Sequence, residues 1–254
     1  MITIRFAPAR ALAAAVALAA CPLAARAQAL PAAKDLMARH DAAVGGRAAV
    51  EKFSSMHQTG TFSIAAMGLE APVDIYKAKP NMYLMKVVLG AVGEVMQGSD
   101  GKTLWIIQPQ QGATILDGAP AEAMKANTDF FAGLHDPSLY KSAETIELAD
   151  FDGRKCYKVK LVSNSGTESY EFFDASTGLR AGAMATVETP MGKVEQTSVP
   201  SEYKEFGGIK FPTRIVSKQG QFDITITMTN VEFDKVDATT FALPDAVKAL
   251  VKQP

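Results

Sequence analysis

From His57 to Phe233 apolar and polar side chains alternate with period two, the pattern of strands that bury one face and wet the other. Short turn sequences interrupt it: Met67-Gly-Leu-Glu70, Pro80-Asn81, Asp100-Gly101, Asp152-Gly153, Asn164-Ser-Gly166, Thr189-Pro-Met-Gly192, Gly207-Gly208 and Gly220. The spacing predicts about eleven antiparallel strands joined to their sequence neighbours. Pro200, which has no N–H to give a ladder, belongs at a bulge or an edge.

The pattern is clearest over residues 170–188, which read as a hairpin folded about Asp174-Ala-Ser-Thr-Gly178. Asp bonds its own backbone there and Gly supplies positive φ. Tyr170 and Phe172 alternate with Glu171 and Phe173, so aromatic side chains fall on both faces of one strand. A sheet wet on one face has no use for that. Its second face must be covered by another element or line a cavity.

Helical periodicity is confined to four places. Leu36, Met37, His40 and Val44 mark one side of a helix over residues 33–44, stopped by Gly45-Gly46, and a short second helix over 47–53 buries Ala49, Val50 and Phe53. A third, over 119–131, starts with Pro120 in its first turn and interrupts the strands once. The loop after it, Gly133-Leu-His-Asp-Pro137, is the longest irregular piece and the natural place for a mobile cover. Residues 245–251 form the last helix.

Composition adds the compartment. Arg5 and Arg10 precede an apolar run from Ala11 to Ala20, and Ala27-Gln-Ala29 is a cleavage site, so residues 1–29 read as an export signal and 30–254 as one domain. Leu18-Ala-Ala-Cys21 resembles a lipobox, but Pro22 and the later Ala-Gln-Ala favour ordinary cleavage over lipidation at Cys21. Cleavage removes three of 26 basic residues and none of 27 acidic ones, leaving a net charge of −4. That balance excludes nucleic acid as a partner and argues against anionic membrane surfaces. Cys156 is then the single cysteine, so stability must come from a core rather than a disulfide.

The chemistry-bearing residues are sparse. His40, His57 and His135 are far apart and have no second ligand at metal-site spacing, so no metal or cofactor is expected. His40 fits the sheet-facing side of its helix with one nitrogen bonded to a backbone oxygen, and His57 fits the surface. No nucleophile elbow, dinucleotide fingerprint or phosphate loop is present, and Asp150, Asp152 and Asp174 sit in turns that use Asp for turn reasons. The chain reads as non-catalytic. Apolar residues are abundant instead, with 11 methionines among them, and Met adapts to irregular apolar shapes. Met67-Gly-Leu69 and Leu89-Gly-Ala-Val-Gly93 put apolar side chains on hairpin tips, where polar ones are usual.

Val44-Gly-Gly-Arg-Ala-Ala-Val50, Asp100-Gly-Lys-Thr-Leu-Trp105, Tyr170-Glu-Phe-Phe-Asp-Ala-Ser-Thr-Gly-Leu179 and Gly208-Ile-Lys-Phe-Pro212, in that order in an exported chain, resemble the LolA/LolB-like superfamily of periplasmic outer-membrane lipoprotein-sorting proteins. The resemblance implies an α+β fold, mainly antiparallel β: a strongly curved, unclosed barrel whose concave face is plugged by helices over an apolar cavity for acyl chains. Met67, Leu69, Val73, Ile75, Tyr83, Met85, Val87, Leu89, Trp105 and Phe172 are then the cavity or rim candidates. Arg39, Arg47 and Arg214 are candidates for the arginine with which such carriers hold a lid. The function expected is a monomeric, non-catalytic periplasmic binder or carrier of acyl chains, lipoproteins or other hydrophobic ligands. The alternative is an envelope sensor or protein-interaction module that uses the concave sheet.

Overall fold

The computed structural model describes residues 29–189, 192–220 and 222–251; the export signal with Cys21, and Pro190-Met191 of the expected turn, lie outside them. The chain enters through α1 (Ala33–Ala43) and α2 (Gly46–Glu51). Gly45 joins them at φ +113°, and a Cβ there would lie 2.5 Å from the Gly208 carbonyl oxygen. Only glycine lets this corner press so close to the sheet.

Six strands follow as a meander: β1 (Ser55–Ile64), β2 (Leu69–Ala78), β3 (Met82–Val88), β4 (Glu94–Asp100), β5 (Leu104–Gln108) and β6 (Gly112–Ile115). The chain then leaves the sheet through α3 (Gly118–Thr128) and a strap, residues 129–139. It re-enters at the far edge with β7 (Tyr140–Phe151), β8 (Arg154–Ser163), β9 (Glu168–Asp174), β10 (Arg180–Thr189), β11 (Gly192–Phe206), β12 (Ile209–Gln219) and β13 (Phe222–Phe233). β13 pairs with β1, so the order is β6-β5-β4-β3-β2-β1-β13-β12-β11-β10-β9-β8-β7, all antiparallel. β6 and β7 are the two edges and do not meet. The result is a curved, open half-barrel with a few helices.

The pattern predicts about eleven strands and the structure has thirteen. Gly112–Ile115 is four residues long, follows Pro109-Gln-Gln111, and is too short to show alternation. Pro200 lies in an interior strand, beyond the point where β10 and β11 stop pairing at Ala183↔Ser198 and beside a register shift at Arg180/Gly182. Its missing N–H is therefore not asked for. The 170–188 hairpin forms as expected: Asp174 Oδ1 accepts from the Ser176 and Thr177 amides at 2.9 and 2.8 Å, and Gly178 has φ +77°.

Following the registers across the sheet sorts side chains into an inner and an outer face. Inward go Met56 and Phe62 of β1, Val73 and Ile75 of β2, Tyr83, Met85 and Val87 of β3, Leu104 of β5, Ile226 of β13, Glu171 and Phe173 of β9, and Val159 and Leu161 of β8. The helices cover this face in three pieces. α1 lays Leu36 and Met37 on Val159, Leu161 and Phe173; α2 and the strap bring Val50 and Phe130 onto Met56 and Ile209; α3 sets Ala121 and Met124 over Val73, Ile75, Tyr83 and Val87. On the outer face the chain after β13 begins with the Val236 amide on Ser55 Oγ, runs along β3 and β4, and ends as α4 (Asp245–Val251) against β6.

Both faces of β9 are thus buried, for different reasons. Phe173 lies under α1, while Phe172 stacks on Phe151 at 4.0 Å in a small outer cluster with Cys156, Ala181, Tyr170 and Met184. Trp105 is buried on the outer face against Gly98, whose added Cβ would fall 2.5 Å from the indole ring. Gly98→Ala is expected to force that ring out of place at a cost of about 1–3 kcal/mol, or a Tm lower by roughly 3–10 °C. Thermal unfolding of the variant with an unchanged Tm would show that the indole packs elsewhere.

Candidate functional site

The inner face under α3 is the apolar half of the site. Val73, Ile75, Tyr83 and Val87 form its buried floor with Ala71, Leu104 and Met228, and Met85 and Leu89 pack against them half-buried. The floor is open at both ends. Toward the β4–β5 turn, Leu104 and Ala121 also wall a groove of about 600 Å³ between α3, β5, β6 and α4. Toward the opposite rim it continues into half-buried Phe62, Val95 and Ile226. Beyond them lie the hairpin tips with Met67 64 %, Val92 59 % and Phe222 50 % exposed. Leu69 stands just inside that rim.

Eight of the ten candidates therefore share the floor or its rim, and two do not. Trp105 pairs with Gly98 and Phe172 with Gly182, which turns both to the outer face, one residue out of phase with Leu104 and Phe173. Neither reaches the concave space.

The other half of the inner face is polar, and its members were not legible as a group. His135, on the strap, lies between Asp41 of α1 and Glu171 of β9: Nδ1 is 2.8 Å from Asp41 Oδ1 and Nε2 is 2.8 Å from Glu171 Oε2. Arg180 Nη1 donates to Glu171 Oε1 at 3.0 Å, so both carboxylate oxygens are occupied. A cavity of about 160 Å³ opens beside Glu171, floored by Ser169, Ala183, Ala185, Gln196 and Ser198. The one sequence signal was Glu171 itself, an acid at an inward position between apolar neighbours.

His40 sits next to this network with its roles fixed by geometry. The Arg180 amide donates to Nδ1 at 3.0 Å, so Nε2 carries the proton and donates to the Gly133 carbonyl at 3.3 Å. This is the buried, sheet-facing histidine bonded to a backbone oxygen that the sequence predicts. His57 is less exposed than expected: it pairs with Asp74 at 2.7 Å and stacks on Tyr76 at 4.1 Å.

The strap is gripped by cations as well. Arg47 lies 4.6 Å from the Phe131 ring, Lys79 5.3 and 5.4 Å from Phe130 and Phe131, and Lys77 Nζ donates to the Asp129 carbonyl at 3.3 Å. Of the three arginines named from the sequence, Arg47 does touch the strap. Arg39 instead donates to the Ala175 and Ser176 carbonyls at the β9–β10 turn, and the buried ion pair belongs to Arg180, which no pattern singled out.

Burial and charge set the ionisation. Glu171 is held down to about 2: burial alone would raise it, but the His135 hydrogen bond and the Arg180 charge outweigh that. His40 is lowered to about 4, first by burial and then by Arg180 and His135. For His135 burial lowers, yet the bonds and charges of Glu171 and Asp41 together raise it. Lys77 falls to about 8 through burial, opposed by Asp129. Among the described residues no group of three or more His, Cys, Asp or Glu is placed to hold a metal ion.

An unfolded His40 takes a proton near pH 6.5, while the folded one stays neutral to about 4, so between these values the unfolded state binds more protons. Folding stability should therefore fall as pH drops from 6.5 toward 4.5, by up to about 1.4 kcal/mol per unit. In His40→Gln this limb flattens. Equal slopes for the two proteins in chemical denaturation across that range would assign the limb to another group.

No family model matches the chain, and no curated protein does. Solved structures do. A DUF1329 family protein from Desulfovibrio piger superposes with TM-score 0.58 at 16 % identity, covering 82 % of this chain and 94 % of that one. A LolA superfamily protein from Nitrosomonas europaea gives 0.54 at 10 %, covering 84 % and 99 %. A domain described as outer membrane lipoprotein-sorting, from Vibrio parahaemolyticus, gives 0.55 at 9 %, covering 86 % and 97 %. At these identities the likeness is one of architecture, and the fold of this chain is LolA-like.

Proposed function

We propose that the protein is a non-catalytic periplasmic binder or carrier of acyl chains, free or attached to a lipoprotein, held between α3 and the inner face of the half-barrel. The observation that carries this is the floor of Val73, Ile75, Tyr83 and Val87, which does not end under α3 but runs on through half-buried Phe62, Leu89, Val95 and Ile226 to exposed apolar hairpin tips. A core that served stability alone would stop at the last covered residue. An apolar path from rim to interior suits a chain that enters lengthwise.

The energetics are adequate. Each buried methylene contributes ~0.8 kcal/mol, so an acyl chain of roughly fifteen or more methylenes yields about 12 kcal/mol and reaches about micromolar affinity after association costs of about 4 kcal/mol. The groove of about 600 Å³ beside α3 is in the size range of small-molecule sites. Likeness to a lipoprotein-sorting domain and a LolA superfamily protein supports the reading at the level of fold, as does the export signal expected at residues 1–29. Met67 and Leu69 are the rim positions at which cargo would pass to or from a membrane.

Protein purified from the periplasm without detergent should carry lipid in native mass spectrometry and bind a fluorescent fatty acid. Leu89→Glu and Ile226→Glu place a carboxylate on the path at half-buried positions, and in variants that keep the wild-type fold by circular dichroism should weaken binding more than about tenfold. Phe172→Leu, on the outer face, should leave affinity within about twofold. Apo protein that binds no fatty acid, or equal losses for inner and outer variants, would reject the site and favour a protein partner on the concave sheet.

A further inference from the structure

At His135 the strap is joined to α1 and β9 by ion pairs. Both of its ring nitrogens face carboxylate oxygens at 2.8 Å, and a carboxylate only accepts, so both nitrogens must donate. A ring donating from both is an imidazolium. The neutral ring would turn a lone pair toward Asp41 or toward Glu171. With the His135 side chain 5 % and Glu171 9 % exposed, little water is at hand to relieve that opposition. The His135 amide also donates to the Asp41 carboxylate, so strap backbone and strap side chain end on one acid.

The charges around the ring come from every element packed on it. α1 supplies Asp41 and neutral His40, β9 Glu171, β10 Arg180, β7 Tyr140 and β11 Tyr203, whose hydroxyl donates to the Arg180 carbonyl; Asp136 on the strap lies near Arg47 of α2. Imidazolium and guanidinium balance two carboxylates. Removal of one proton leaves a buried excess negative charge with one acid unpaired.

We propose that protonated His135 is a clamp that holds the strap across the concave face, and that loss of this one proton frees the strap and, through it, α3. What is then uncovered is the apolar floor of the proposed acyl site, so the proposal rests on that reading for its purpose, though not for its geometry. Once the charge is lost, the strap is held chiefly by the apolar contacts of Phe130, Phe131 and Leu134, so the strap and α3 loosen while the sheet beneath stays folded. The direction follows from the raised His135 value: the clamp is complete below about pH 6.5 and is lost as pH rises through the folded-state titration.

Hydrogen–deuterium exchange on the ligand-free, full mature protein tests it. Corrected for intrinsic chemistry, peptides from residues 129–139 should exchange roughly tenfold or more faster at pH 9 than at pH 6, with the β3–β4 core unchanged, and should do so equally in Lys77→Met, which removes the other group bonded to the strap that titrates in this range. His135→Gln should be fast at both values. Asp41→Asn, at the more exposed end of the clamp, should show a smaller version and serves if the first variant fails to fold. Ring nitrogen shifts in NMR should show a doubly protonated His135 at pH 6. Strap protection that does not change between pH 6 and 9 in the wild type, or a singly protonated ring at pH 6, overturns the clamp. A fatty-acid titration on the same samples separates the two ideas: strap release without binding supports the clamp and removes the carrier reading. Binding at pH 9 with a fully protected strap removes the clamp and keeps the carrier.

Discussion

Because β6 and β7 never meet, one chain segment has to travel from one edge of the sheet to the other, and everything on the concave side is arranged by that passage. Closed barrels satisfy their last ladder with hydrogen bonds; here α3 and the strap span the opening instead. A helix and an irregular strap bury side chains but make no continuous ladder with the strands beneath. The cover is therefore built from separable contacts, and the concave face can hold apolar surface that the sheet itself does not consume.

The cover is secured in two chemically different ways. Phe130, Phe131 and Leu134 sink into the centre of the sheet with Val50, Met56 and Ile209, a non-directional contribution that scales with area. Beside it lies a charge-balanced group of Asp41, His135, Glu171 and Arg180 that is directional and fails if one member is missing or changes charge. His40 shows how closely the two kinds are set: 5.4 Å from His135 ring to ring, it stays neutral because burial and the charges of Arg180 and His135 oppose a second proton, while the Arg180 amide takes the free nitrogen. Two adjacent histidines thus hold different protonation states through different partners.

The two ends of the apolar floor face different surroundings. At the β4–β5 turn the floor meets a groove with Lys102, Asp117, Glu122 and Lys125 at its mouth, a wet and charged opening. At the other rim it meets Met67, Val92 and Phe222, exposed and apolar on hairpin tips whose strands lie close together in the sheet. That asymmetry fits the proposed carrier, whose cargo has a greasy chain and a polar head. It also separates this face from the outer one, where Trp105 and Phe172 are packed by Gly98 and Phe151 and lead nowhere.

Alternation and turn chemistry, read from the sequence alone, gave the strands, the 170–188 hairpin, the helix positions and the inward set of β2 and β3, since period two and local backbone bonds are properties of a few adjacent residues. The short strand Gly112–Ile115 escaped because four residues do not establish a period. The facing of Trp105 and Phe172 was decided by register against Gly98 and Gly182, a relation between strands that no single strand encodes. The buried charges were decided by tertiary structure alone. Asp41, His135 and the Glu171–Arg180 pair of the 170–188 hairpin come from three separate stretches of the chain, and only Glu171, an acid between apolar neighbours, is unusual where it stands. The passage of the strap over α1 and β9 takes His135 and Glu171 out of water and leaves Asp41 and Arg180 partly covered, and it is that desolvation which makes their mutual charges matter.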